Sequence, residues 1–142
     1  MRLPDTSIVF VIDEDAGPHV ARGITDAGGR VVMVTDKAGA GAKDRHWIPL
    51  ACTWGSAIVT RDCAMRRTPA ETQALLSSGC HTFILRAGHL KLDELYALAK
   101  DSYGKMLQFV ATRNTPFLAT VSRNGIKVVT ESGRRGGPKP SR

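Results

Sequence analysis

Four short apolar runs set the limits on what this chain can fold into. Ile8–Ile12, Val31–Val34, Ala57–Thr60 and Thr82–Leu85 are rich in β-branched residues and almost free of polar interruption. Continuous apolarity of this length suits parallel strands buried on both faces. Helical segments fit between them. Gly17–Ala27 puts Val20, Ile24 and Ala27 on one stripe, and Asp44–Trp54 puts Trp47, Ile48 and Ala51 on another. Pro69–Ser78 opens with proline in its first turn and carries Leu75 and Leu76. The alternation predicts an α/β fold, a central, mainly parallel sheet flanked by helices. A longer helix is expected over 91–112, with Leu92, Leu95, Ala99, Met106 and Phe109 on its core side. Two further strands, Phe117–Val121 and Ile126–Val129, flank Asn124-Gly125, the pair favoured by a type I′ turn, so the chain should close on a C-terminal β-hairpin.

A chain of 142 residues buries roughly 70% of its unfolded surface and needs no staple. One domain is expected over residues 1–130. The remainder, 131–142, reads ESGRRGGPKPSR and is expected to be a disordered basic tail, since it has nothing to bury. Cys52, Cys63 and Cys80 form no CxxC or paired pattern, which points to idle thiols in a reducing compartment. The four histidines are scattered, which leaves no zinc site. Neither a basic leader nor a long apolar run is present, so no membrane is expected and the cytoplasm is the default location. The charge is uneven. Residues 1–62 hold eight acids and seven Lys/Arg, whereas 63–142 hold five acids and 13 Lys/Arg. The basic half suits either a polyanionic partner or a plain solvated surface.

Against that basic background, the acids gather where strands end. Asp13, Glu14 and Asp15 follow the first run, Asp36 the second and Asp62 the third. Ligands of open parallel sheets collect beyond the carboxyl ends of the strands. Asp44 precedes Trp47 and Ile48 by three and four residues and shares their inward face. Two carboxylates about 5 Å apart repel by roughly 3 kcal/mol at an effective dielectric of about 20. A hard divalent cation removes that repulsion, and Mg²⁺ or Mn²⁺ prefers such oxygen ligands. The bland readings are an N-cap for Asp44, a turn for Asp36, an ion pair of Asp62 with Arg61, and capping of the first helix by Asp15.

Three segments together resemble the PIN-like domains. FVIDEDAGPHVARGITDAGGRVV has an Asp closing the first strand before a helix that leads to glycine. KDRHWIPLA has an Asp ahead of Trp-Ile, and AIVTRDCAMRRTPAETQAL has Thr-x-Asp, a basic stretch and Pro-x-Glu. The resemblance covers roughly Ile8 to Leu85, and the nearest kin are VapC-like toxin ribonucleases in their shorter subgroup. It implies a Mg²⁺- or Mn²⁺-dependent endoribonuclease, the toxin of a toxin–antitoxin pair, with RNA as substrate and an antitoxin protein as partner. Carried over, the metal-binding acids are Asp13, Asp44 and Asp62, with Asp15 or Glu14 as the next ligand. Thr60 would support Asp62, and Glu71 matches the Pro-x-Glu position. Arg61, Arg66 and Arg67 are the first choices for phosphate contact, and a homodimer is compatible with the family.

Other classes remain open at the level of sequence. A catalytically silent PIN-like module that binds RNA or protein would bind no Mn²⁺. A receiver-like phospho-acceptor domain also needs acids after strands one and three. It further needs a small hydroxyl residue after strand four and a lysine after strand five, where this chain offers Arg86 and Arg123. Asp13-Glu14-Asp15 fits the Asp-x-Asp of a haloacid-dehalogenase-type phosphatase, but the usual Gly-Thr continuation is absent. The GAGAK stretch, Gly39–Lys43, lacks a full phosphate-binding loop pattern.

Overall fold

The computed structural model describes residues 8–61 and 69–131. The apolar runs are strands: β1 (Val9–Ile12), β2 (Arg30–Met33), β3 (Ala57–Thr60), β4 (His81–Leu85), β5 (Phe117–Ser122) and β6 (Gly125–Glu131). They form one sheet in the order β2-β1-β3-β4-β5-β6. The first five are parallel and β6 returns antiparallel to β5. Because β1 lies between β2 and β3, the strand order reverses there, and ligands of open parallel sheets gather at the carboxyl end of the strands beside such a reversal.

Alternate residues of each strand feed two cores. On one face Phe10, Ile12, Val59, Phe83, Leu85, Phe117 and Val121 pack against α1 (Gly17–Asp26) and α6 (Leu92–Thr112). On the other, Val11, Ile58, Ile84 and Leu118 meet Trp47, Ile48, Ala51 and Leu75. Burial of each large side chain contributes about 1.5–3 kcal/mol. The helices α1 and α6 approach so closely that a Cβ on Gly23 would sit 2.6 Å from the Tyr96 carbonyl oxygen and 3.0 Å from Ala99 Cβ.

The structure departs from expectation at several points. The helix expected over 44–54 is broken into α3 (Asp44–Trp47), a 3₁₀ turn (Ile48–Leu50) and α4 (Ala51–Trp54). Pro49 explains the break, since it lacks an amide donor and its ring clashes with the preceding turn. A five-residue helix, α2 (Val34–Ala38), follows β2 directly. Leu92 is 55% exposed, because α6 turns Leu95, Leu98, Ala99, Ser102, Met106 and Val110 inward instead. The hairpin turn is Arg123-Asn124, with Ser122 paired to Gly125. Gly125 takes a positive φ, of 124°, whereas Arg123 and Asn124 do not. A type I′ turn needs positive φ at both central residues, so that expectation fails. Glu131 belongs to β6 and not to a tail. Cys52 on α4 and Cys80 ahead of β4 are joined by a disulfide, so these two cysteines are not the idle thiols expected, and they do not point to a reducing compartment. Among the described residues, no helix is long and apolar enough to cross a membrane.

Candidate active site

Asp13 is fixed by its backbone before its side chain. Its amide donates to the Val59 carbonyl at 2.9 Å, which prolongs the β1–β3 pairing by one residue. Its own carbonyl accepts from the amides of Ala16 and Gly17, which turns the chain into α1. The carboxylate therefore projects at the reversal point of the sheet, 6% exposed. Thr60, the last residue of β3, is buried beside it. Thr60 Oγ1 lies 2.9 Å from Asp13 Oδ2 and 3.1 Å from Asp15 Oδ1.

One hydroxyl proton serves two carboxylates. The Asp13 carboxyl is pushed up from 3.8 to about 8. Burial is the largest cause, followed by the charge of Asp15 and a hydrogen bond shared with it. Thr60 opposes the shift and Asp44 adds to it.

The other expected residues divide. Asp15 turns to Thr60, and the N-terminus of α1 has no side-chain cap, so the capping reading of Asp15 does not hold. Glu14, its neighbour, is exposed and accepts from the Gly41 amide at 2.8 Å, away from this pair. Asp44 is the first residue of α3, whose N-cap is Lys43. Its Oδ1 lies 3.2 Å from Trp47 Nε1, which donates to it. Asp36 is exposed on α2. Arg61 reaches across to donate to the Ala87 carbonyl at 3.3 Å. Asp62, Arg66 and Arg67 lie outside the described residues, and Glu71 falls within α5 (Pro69–Ser77).

The resemblance assigns Thr60 to the support of Asp62. Asp62 lies outside the described residues, and among the described ones Thr60 bonds to Asp13 and Asp15, contacts that follow from the β1–β3 register. The donor set suits a hard cation: two carboxylates and a hydroxyl, all oxygen, with no sulfur or imidazole. Among the described residues, no group of three or more His, Cys, Asp and Glu is arranged to hold a metal ion.

A family profile described as PIN like domain matches residues 8–87, more than half of the chain and the whole of the segment from β1 to β4. No curated protein and no solved structure gives a match.

Proposed function

The chain belongs to the PIN-like domain family, and from that premise we propose that it is a metal-dependent endoribonuclease. The observation that carries the reading is the pairing of buried Asp13 with exposed Asp15 at the strand-order reversal, where every influence on Asp13 except Thr60 raises its pKa. An acid pair of this kind is costly to the fold by itself and is relieved by a divalent cation. We propose Asp13, Asp15 and Asp62 as the residues that would hold Mg²⁺ or Mn²⁺, with Asp44 near enough to raise the Asp13 pKa. When bound, such an ion neutralises charge on a phosphodiester and lowers the pKa of water.

The chain's own residues do the rest. Thr60 fixes the rotamers of both carboxylates through its hydroxyl. Asp13 would hold such a cation as its carboxylate, with the displaced proton passing to solvent. Arg61, one strand away, offers a cation to the phosphate beside the cleaved bond, and Arg66 and Arg67 are proposed to continue that contact. Within the family, a toxin role of the VapC-like kind, held in check by an antitoxin protein, is the finer reading.

The decisive experiment is a cleavage assay on total RNA with Mg²⁺, Mn²⁺ or EDTA. Cleavage should need the metal, and Asp13→Asn should abolish it while circular dichroism shows a folded chain. No cleavage under any metal condition overturns the enzyme reading in favour of a silent binding module. The strand order 2-1-3-4-5 is shared by flavodoxin-like receiver folds. Arg86 and Arg123 stand where a receiver needs its hydroxyl and lysine, so that alternative is not favoured.

A further inference from the structure

Those two arginines mark a feature that the acidic site does not use. Arg86 follows β4 and its amide donates to the Val121 carbonyl at 2.8 Å, while Arg123 stands in the turn after β5. Both therefore lie on the carboxyl edge of the sheet, the edge that bears Asp13. Between them is an open pocket of about 250 Å³, lined by Arg86, Gly88, His89, Ser122, Arg123 and Asn124 among others, and by no described carboxylate. Ala87, whose carbonyl takes the Arg61 guanidinium, also lines it, so Arg61 joins the pocket to the end of β3.

Among the described residues the strand order thus grades one edge by charge. Acids follow β1 and arginines follow β4 and β5, while β3 lies between them with Arg61 described and its sequence neighbour Asp62 outside the described residues. Neighbouring strands lie about 4.8 Å apart, which puts Arg86 about 10 Å and Arg123 about 14 Å from the acid pair along the edge. Proteins that hold single strands track the backbone with a positively charged groove, and among its described residues this pocket supplies that element without a Phe, Tyr or Trp side chain to stack on bases. We infer that the Arg86–Arg123 pocket is a subsite for the phosphodiester backbone of single-stranded RNA, adjoining the Asp13–Asp15 pair along the sheet edge. The inference rests on the ribonuclease reading.

Arg123 is held in reserve by Glu94. Its Nη2 lies 3.3 Å from Glu94 Oε2, with the side chains 66% and 40% exposed, so the pair is weak and easily exchanged for phosphate. The other oxygen of Glu94 accepts the Lys91 amide at 2.9 Å and caps α6. Glu94→Gln keeps an oxygen for that cap and removes the charge that competes with RNA.

The test is binding of the full chain to a fluorescein-labelled single-stranded RNA in EDTA, followed by anisotropy across a salt series. Arg86→Ala with Arg123→Ala should weaken binding and flatten the dependence of log K on log salt by about 1.4, for two lost single-strand contacts. Glu94→Gln should tighten binding at low salt. Unchanged affinity and slope in the double variant, with wild-type RNA cleavage intact, overturn the subsite and leave the nuclease reading standing. An arginine-dependent slope in a wild type that cuts no RNA supports the subsite and overturns the nuclease. If the double variant fails to fold, Glu94→Gln decides alone: an affinity equal to or below that of the wild type overturns the subsite.

Discussion

The hydroxyl of Thr60, at the end of β3, lies 2.9 Å from Oδ2 of Asp13, just past β1, although 47 residues separate them in the chain. The contact exists because Phe10, Val11 and Ile12 pair in parallel with Ala57, Ile58 and Val59, which brings the two strand ends level. Thr60→Val keeps the β-branched shape and removes the donor. It should destabilise the protein by about 1–3 kcal/mol, the cost of leaving a buried acceptor short of its partner. Urea denaturation at pH 7 measures this. A variant as stable as the wild type would make Thr60 a space-filling residue only.

The raised Asp13 carboxyl gives stability a direction with pH. Its folded value of about 8 stands above the ordinary 3.8, so the folded chain keeps a proton that the unfolded chain has lost. The contribution is fully present below pH 3.8 and is lost as pH rises through 8. Asp13→Asn mimics the protonated acid and should remove the decline. Its melting temperature should therefore exceed that of the wild type at pH 8.5 in EDTA, with the gap closing toward about pH 4. Melting curves that run parallel across this range would show that Asp13 ionises without penalty.

Much of this arrangement is legible in the sequence, and the rest fails for identifiable reasons. The strand β3 is readable to the residue because Ala57–Thr60 is bounded by Gly55-Ser56 and by Arg61. The helix α2 is not, because Val34 continues the apolar run of β2. The pair Asn124-Gly125 marks the site of the turn but not its type, which depends on the φ of Asn124. At the site, Asp13 stands at a strand end as its position implies. Which of Glu14 and Asp15 would join it is undecidable from spacing, since adjacent residues in a turn point apart. The Cys52–Cys80 bond obeys no local rule, being formed across 28 residues.

Metal binding should depend on the same acids. Mn²⁺ should raise the melting temperature of the wild type, and a hundredfold excess over Kd is worth about 2.7 kcal/mol. The rise should be larger at pH 8 than at pH 5.5, because protons compete for the Asp13 pair. Asp62→Asn should show a much smaller rise, if Asp62 completes the set that Asp13 and Asp15 begin. An equal rise in the variant and the wild type would put the metal elsewhere.

Gly23 lies on α1, the helix that Asp13 launches, at its contact with α6. A methyl group there would meet the Tyr96 carbonyl oxygen at 2.6 Å, Ala99 Cβ at 3.0 Å and the Lys100 amide at 3.1 Å. Two of these are backbone atoms of a 21-residue helix and cannot swing aside as a side-chain tip does. On propensity alone, Gly23→Ala in a helix interior gains about 1 kcal/mol. Overpacking of a close contact costs about 1–3 kcal/mol, and the backbone clash puts this site at the upper end. The sum favours a net loss, visible as a lower urea midpoint with an unchanged slope. Because α1 carries the turn that positions Asp13, Mn²⁺ affinity should fall with it. A stabilised Gly23→Ala variant would mean that α1 and α6 separate freely, and that their spacing does not set the geometry of the acid pair.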